Sequence, residues 1–331
     1  MMDWTDRHCR YFLRGYSPRV LLYSEMLTAA AITRGDRSRL LSHSPEEHPL
    51  ALQLGGSDAR LLAAAARAGA DSGYDEINLN CGCPSERVQS GAFGACLMLE
   101  PERVAEAVAA MRAAVAVPVT VKTRIGVVAP EEARADVAGF GERDYARLHR
   151  FITTVMHSGC TVFIVHARKA VLAGLSPAEN RSVPPLRLDV VRRLKQDFPQ
   201  LSIVLNGGLR TVEQCLEALS WCDGVMLGRE AYHRPEVLAQ LHARLYQDDW
   251  QLPDAGGIIE RMAAYSAREV ASGTPFNAIA RHMMGLANGR PGARRYRQML
   301  SLGGAARALH DSRDGARAAA LLRDAARCCS S

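Results

Sequence analysis

The stretch VPVTVKTR, residues 117–124, is an apolar, β-branched run that carries charge only at Lys122 and Arg124. A near-continuous apolar run of this length reads as a parallel strand covered on both faces. The residues just before it, PERVAEAVAAMRAAV (101–115), have the composition of a helix. Working outward, the same alternation recurs along most of the chain. Strands are expected at VLLYSEM (20–26), LALQLG (50–55), EINLN (76–80), TVFIVHAR (161–168), LSIVLNGG (201–208) and DGVMLGR (223–229). Ala- and Leu-rich segments such as ARLLAAAARAGA (59–70) lie between them, with Gly69 and Gly73 expected to stop that helix before the next strand. This is the pattern of an α/β (β/α)8 TIM barrel. Seven strands are visible, and MMDWTD stands where a first strand would end, so the first strand is expected to be truncated. A doubly wound sheet is the alternative, but no GxGxxG opens a helix anywhere in the chain.

The pattern changes after about Leu245. QDDWQLPDAGG (247–257) reads as a polar linker, and the rest is helical with no strand. The expected division is a catalytic barrel over 1–246 and a helical domain over 247–331. Charge follows it: from Arg261 to the C-terminus there are 12 Arg, no Lys and four acids, within a total net charge of +6. A basic surface confined to the last fifth of a chain suggests a polyanion partner, against the plainer reading of a solvated helical face. No run of 18 apolar residues exists and MMDWTDRHCR lacks a signal-peptide core, so a cytoplasmic protein is expected. Nine cysteines at irregular spacing argue against a disulfide framework. Cys81-Gly-Cys83 falls one residue short of CxxC and no second pair follows, so no metal site is expected.

In a barrel, polar residues at the C-terminal ends of strands face the active site. That places Gln53, Asn80 to Cys83, Lys122 with Arg124, and His166 with Arg168 at successive strand ends. Asn206-Gly207-Gly208 and Gly228-Arg229 follow the last two strands. Most of these have structural readings as turn formers or satisfied polar groups. Lys122 is harder to dismiss, because an ammonium inside an apolar run needs a ligand or a carboxylate. The two glycine turns occupy the common phosphate site of barrel enzymes. A phosphorylated cofactor fits, and flavin mononucleotide (FMN) is the economical candidate.

These stretches resemble the tRNA-dihydrouridine synthases, specifically their A subfamily. The resemblance rests on MMDWTDRHCRYF, LALQLGGSD, INLNCGCPSERVQSGAFGACLM, PVTVKTRIG, IVHARKA with GLSPAENR, LNGG, DGVMLGREAY and ARHMMGLANGRPGARRYR, and it covers nearly the whole chain. It implies a flavin-bearing barrel followed by a tRNA-holding helical domain, with NADPH or NADH as reductant, in a monomer. The reaction implied is reduction of the uridine C5–C6 double bond in the D-loop, at positions 20 and 20a. Cys83 becomes the proton donor by resemblance, and the chemistry agrees: a thiol with an ordinary pKa near 8.5 is protonated at neutral pH yet acidic enough to deliver. Gln53, Lys122, His166, Asn206, Gly207, Gly208, Gly228 and Arg229 match flavin-binding positions, and Met1 and Met2 match one in part. Asn80 matches a position that touches the target uridine. Ala178, Arg181, Arg294 and Arg297 align with positions that orient tRNA, although Ala178 carries no cation for a phosphate. Cys81 and Cys96 are expected to be packing residues. The family's Ala-Pro and first strand before MMDW are absent, and residues 127–150 are longer than its norm. A small-molecule flavin barrel enzyme of the dihydropyrimidine or dihydroorotate type is the first rival; the basic helical appendage speaks against it. A non-catalytic RNA-binding relic is the second, and the presence of Cys83, Lys122 and His166 speaks against that.

Overall fold

The structure is a computed structural model and describes residues 1–85, 91–129, 137, 139–301, 305–309 and 312–329. Seven strands pair in parallel and in sequence order: β1 (Leu22–Thr28), β2 (Leu50–Gly55), β3 (Glu76–Cys81), β4 (Val119–Val128), β5 (Val162–Val171), β6 (Ser202–Asn206) and β7 (Gly224–Met226). All seven lie where the apolar runs predict them. A doubly wound sheet reverses its strand order at a switch point. Here the order β1 to β7 never reverses, so the sheet has barrel topology.

The helices between strands start where the local chemistry allows. Asp58 accepts from the Leu61 N–H at the head of Ala59–Asp71, and Pro101 opens Pro101–Ala114 where its missing N–H costs nothing. Leu52, Leu54, Ile77, Leu79, Val121 and Phe163 have no exposed surface. Burying each such side chain is worth about 1.5–3 kcal/mol, which anchors the strand register.

One glycine expectation is corrected. Gly69 lies inside the helix Ala59–Asp71, two residues short of its end, and does not stop it. A Cβ there would meet Leu52 Cδ2 at 2.4 Å, so Gly69 lets the helix approach β2 closely. Gly73, with φ +94°, makes the turn toward β3.

The chain folds into two compact units, and the division does not fall at a linker near 247. One unit holds Met1, 21–43 and 48–228; the other holds 2–20, 44–47 and 229–331. The second unit is helical. It contains the helix Arg7–Arg14, which the turn-like opening sequence does not suggest, capped by Asp6 through the Cys9 N–H at 2.9 Å. Its other main helices are Glu236–Leu245, Ala255–Ala271, Ala293–Leu300 and Gly315–Arg327. Ala255–Ala271 begins inside the expected linker, because Asp254 caps it through the Gly257 N–H. The Arg10–Glu47 ion pair (2.7 Å, both side chains buried) explains why residues 44–47 go with this unit. Glu47 also accepts from the Ser44 N–H, and Arg14 donates to the Glu47 carbonyl.

The segment 127–150 is partly described. β4 runs to Val128 and the helix Glu142–His157 follows; 130–136 and 138 lie outside the described residues. Phe140 packs under both Lys169 and Arg187, and Asp144 pairs with Lys169 at 3.1 Å. No helix among the described residues is long and apolar enough to cross a membrane.

Candidate active site

Side chains two apart on a strand share a face, and laterally paired residues on neighbouring strands lie side by side. In β2 to β4 the register pairs Gln53 with Asn78, Asn78 with Thr120, and Asn80 with Lys122. Farther along it pairs Arg124 with His166, His166 with Asn206, and Asn206 with Met226. The polar strand-end residues are therefore brought onto one face of the sheet, toward its C-terminal edge.

Cys83 sits just beyond β3 on a turn held from both sides. Asn80 Oδ1 accepts the Gly82 and Cys83 backbone N–H groups, each at 3.0 Å, and the Cys83 carbonyl accepts from the Ala95 N–H at 2.9 Å. The Cys83 Sγ is half-buried and lies 3.5 Å from Ser85 Oγ. Residues 86–90 of the same motif lie outside the described residues. The neighbouring thiols differ from it. Cys81 is fully buried, and burial pushes its thiol far above the usual range. Cys96 lies on a 3-10 turn (Gly94–Leu99), half-buried, and donates to the Phe93 carbonyl at 3.0 Å. Burial raises its pKa as well. Cys83 is the thiol both reachable and positioned.

Lys122 is the electrostatic anomaly of the face. Loss of hydration first, and the Arg124 guanidinium second, push its ammonium down to about 8, with Cys83 pulling the other way. Its surface is nonetheless partly open. No hydrogen bond or ion pair from its ammonium forms among the described residues, and an ammonium this dehydrated favours a negatively charged or polarised neighbour.

Arg124 is a strand-end residue that the resemblance gives no role, and it is structurally central. It is buried, and its Nε–H donates to the Gly82 carbonyl at 3.1 Å. One terminal nitrogen donates to the carbonyls of Asn180 (3.0 Å) and Lys169 (3.3 Å). It thereby ties the Cys83 turn to β5 and to the short 3-10 turn Glu179–Arg181. Burial lowers its pKa to about 10, with Arg181 and Arg168 adding to the fall and Cys83 opposing it. Asn180 pins the same turn through bonds to Val171. Ala178 and Arg181 are exposed at its two ends.

After β6, Gly207 and Gly208 take φ +103° and +77°, a region L side chains rarely adopt. A Cβ on Gly207 would meet the His166 ring at 2.4 Å, and one on Gly208 would meet Leu186 at 2.4 Å. Asn206 Nδ2 donates to the Met226 carbonyl at 2.8 Å, holding the turn against β7. A Cβ on Gly228 would meet the Met1 sulfur at 3.4 Å. Met1 and Met2 are themselves exposed, at 37% and 52%. Arg229 opens the helix Arg229–His233 and belongs to the helical unit.

In the helical unit, Gly292 (φ +77°) breaks the chain and a new helix starts at Ala293, as Pro291-Gly292 suggests. Arg294 and Arg297, three apart, are both exposed, and Arg297 donates to Asn288 Oδ1 at 3.1 Å. Arg295 is exposed too. Among the described residues no group of three or more His, Cys, Asp or Glu could hold a metal ion.

Comparison with known proteins decides the family. The Dihydrouridine synthase (Dus) family profile matches residues 1–319. The chain belongs to the dihydrouridine synthase family. Its relatives include proteins named tRNA-dihydrouridine(20/20a) synthase. The one from Pseudomonas syringae pv. tomato is 55% identical over 302 residues, covering 91% of this chain and 86% of the relative. Those from Synechocystis and Salmonella typhi are 52% and 50% identical, over 91% of this chain and 86% and 87% of their own lengths. The family's barrel accounts for the strand order β1 to β7.

Proposed function

We propose that this chain reduces the C5–C6 double bond of uridine in tRNA to dihydrouridine, at positions 20 and 20a of the D-loop. The observation that carries the reading is the half-buried Cys83, on a turn clamped by Asn80, beside the dehydrated cation of Lys122.

A flavin fits the residues present. The Gly207–Gly208 turn has the left-handed backbone that glycine favours and presents N–H groups without side chains of its own, and Lys122 offers a cation without a protein anion among the described residues. Gln53, Lys122, His166, Asn206, Gly207, Gly208 and Gly228 would hold FMN, with Met1, Met2 and Arg229 as the further positions the resemblance names. Bound there, flavin mononucleotide reduced by NADPH or NADH supplies the hydride for uridine C6. Lys122 would offset negative charge on the bound cofactor. Asn80 orients the uracil as well as the turn. Cys83 delivers the proton to C5 from its thiol and is reprotonated from solvent.

The tRNA partner is supported by the charge of the helical unit. Arg294 and Arg297 lie exposed on one helix, and guanidinium pairs of this kind take phosphate oxygens bidentately. Arg181 adds a cation from the barrel unit, where Ala178 adds none. The protein acts as a monomer in this reading. The test is direct: purified protein, NADPH and unmodified tRNA should yield dihydrouridine at positions 20 and 20a, found by nucleoside mapping. Reduction of free uracil or dihydroorotate-type substrates without reduction of tRNA would replace this reading with the small-molecule one.

A further inference from the structure

A line of side-chain hydrogen bonds crosses β2, β3 and β4 beneath Cys83. Asn80 Nδ2 donates to Gln53 Oε1 at 2.9 Å, and Gln53 Nε2 donates to Asn78 Oδ1 at 2.9 Å. Asn78 Nδ2 donates to Thr120 Oγ1 at 2.8 Å, and the Thr120 hydroxyl donates to Glu76 Oε1 at 2.7 Å. Tyr23 donates to the same oxygen at 2.6 Å. Gln53, Asn78, Asn80 and Thr120 are all buried, at 9% exposure or less.

The two ends of this line are chemically one-sided. At one end are the Gly82 and Cys83 N–H groups, which can only donate. At the other is the Glu76 carboxylate, which when ionised can only accept. Each amide between them could turn over, exchanging oxygen for nitrogen. With both ends set, one orientation alone satisfies every bond, because a single flipped amide opposes two donors or two acceptors. We infer that Glu76, Thr120 and Asn78 are positioning residues, which through Gln53 set the orientation of the Asn80 amide and so the placement of the Cys83 turn. Nothing in the strand-end pattern marks them, since they lie toward the N-terminal half of the sheet. Burial raises the pKa of Glu76, while the Thr120 and Tyr23 hydroxyls favour its ionised form, so the acceptor end is itself maintained by the line it orients.

The inference rests on the proposed function only for its catalytic consequence, and its test has a part independent of activity. Thr120→Val keeps the volume and loses the hydroxyl; Thr120→Ser keeps the hydroxyl and loses a methyl; Thr120→Ala loses both and differs from serine by the hydroxyl alone. Backbone hydrogen exchange at Gly82 and Cys83, measured on the full chain, should be about tenfold faster in Thr120→Val and Thr120→Ala than in wild type, the effect of one lost hydrogen bond, and near wild type in Thr120→Ser. Dihydrouridine formation should follow the same order, with kcat reduced about tenfold in the first two and KM for tRNA unchanged. Packing alone predicts the reverse rank of valine and serine. Should Thr120→Val not fold, the serine and alanine pair decides. Unchanged exchange in Thr120→Ala, or serine exchanging as fast as alanine, overturns the inference. A wild-type protein that makes no dihydrouridine would sink the proposed function and leave the exchange result standing.

Discussion

Asn80 Oδ1 accepts the backbone N–H of Cys83 at 3.0 Å, so the residue matched to uridine contact also holds the turn that carries the thiol. In the proposed reaction this one amide would couple substrate placement to proton delivery. Proton delivery of this kind is worth ~10²–10⁴ in rate. Cys83→Ala should lower dihydrouridine formation by about 10² or more while flavin content and tRNA affinity stay at wild-type values. Cys81→Ala should retain turnover. Single-turnover assays of both variants check this; a Cys83→Ala enzyme at full rate would mean another group donates the proton.

Lys122 makes stability depend on pH in a defined direction. Its ammonium titrates at about 8 in the native chain against an ordinary 10.5. Between these values the unfolded chain binds more protons than the folded one, so the Lys122 contribution makes stability rise with pH from about 8 to 10.5. Below pH 8 the buried charge costs on the order of 3 kcal/mol. In flavin-free protein, Lys122→Met should raise Tm at pH 7, and the gain should shrink toward zero by about pH 10.5. The same variant should lose turnover. Thermal melts of both proteins across pH 7–10.5 give the answer, and a variant less stable than wild type at pH 7 would contradict it.

The exposed guanidiniums of Arg294 and Arg297 should be read in salt. The double variant Arg294→Ala, Arg297→Ala should bind tRNA more weakly and flatten the dependence of log K on log salt by up to about two units. Reduction of flavin by nicotinamide should not change. Filter binding over a salt series measures this, and an unaltered slope would place the RNA on another surface.

Glu47 should behave unlike a surface acid. Its pair with Arg10 is closed to solvent, so Glu47→Leu leaves a buried guanidinium without a counter-ion and should cost about 3–5 kcal/mol. The exposed pair Arg103–Glu100 at 3.2 Å is the control, where Glu100→Gln should change stability by less than about 1 kcal/mol. Urea titrations of the two variants compare them; equal small effects would show that Arg10 finds another partner.

All seven strands are legible in the sequence, because a strand covered on both faces must be apolar over its own length. The anomaly of Lys122 is legible for the same reason, as a charge inside such a run. The glycines at 207 and 208 stand out as a pair, and the left-handed backbone both adopt is one that side chains rarely take. Arg124 is visible as a strand-end residue, but its three carbonyl partners come from Gly82, Lys169 and Asn180, which no local pattern connects. The helix Arg7–Arg14 is hidden by its polar, turn-like start and is buried by contacts with distant helices of its own unit. Gly69 reads as a stop signal and proves to be a close-approach residue, since its neighbour Leu52 is on another element.

Local sequence determined which segments became strands and helices, because hydrophobic period, caps and turn glycines act within a few residues. Tertiary structure alone decided the register that lines up Gln53, Asn78 and Thr120 and the pairing that draws Arg10 to Glu47. Hydrogen bonds and buried charges are satisfied by whatever lies within about 3 Å in space, and that neighbour is chosen by the packing of the whole sheet and not by distance along the chain.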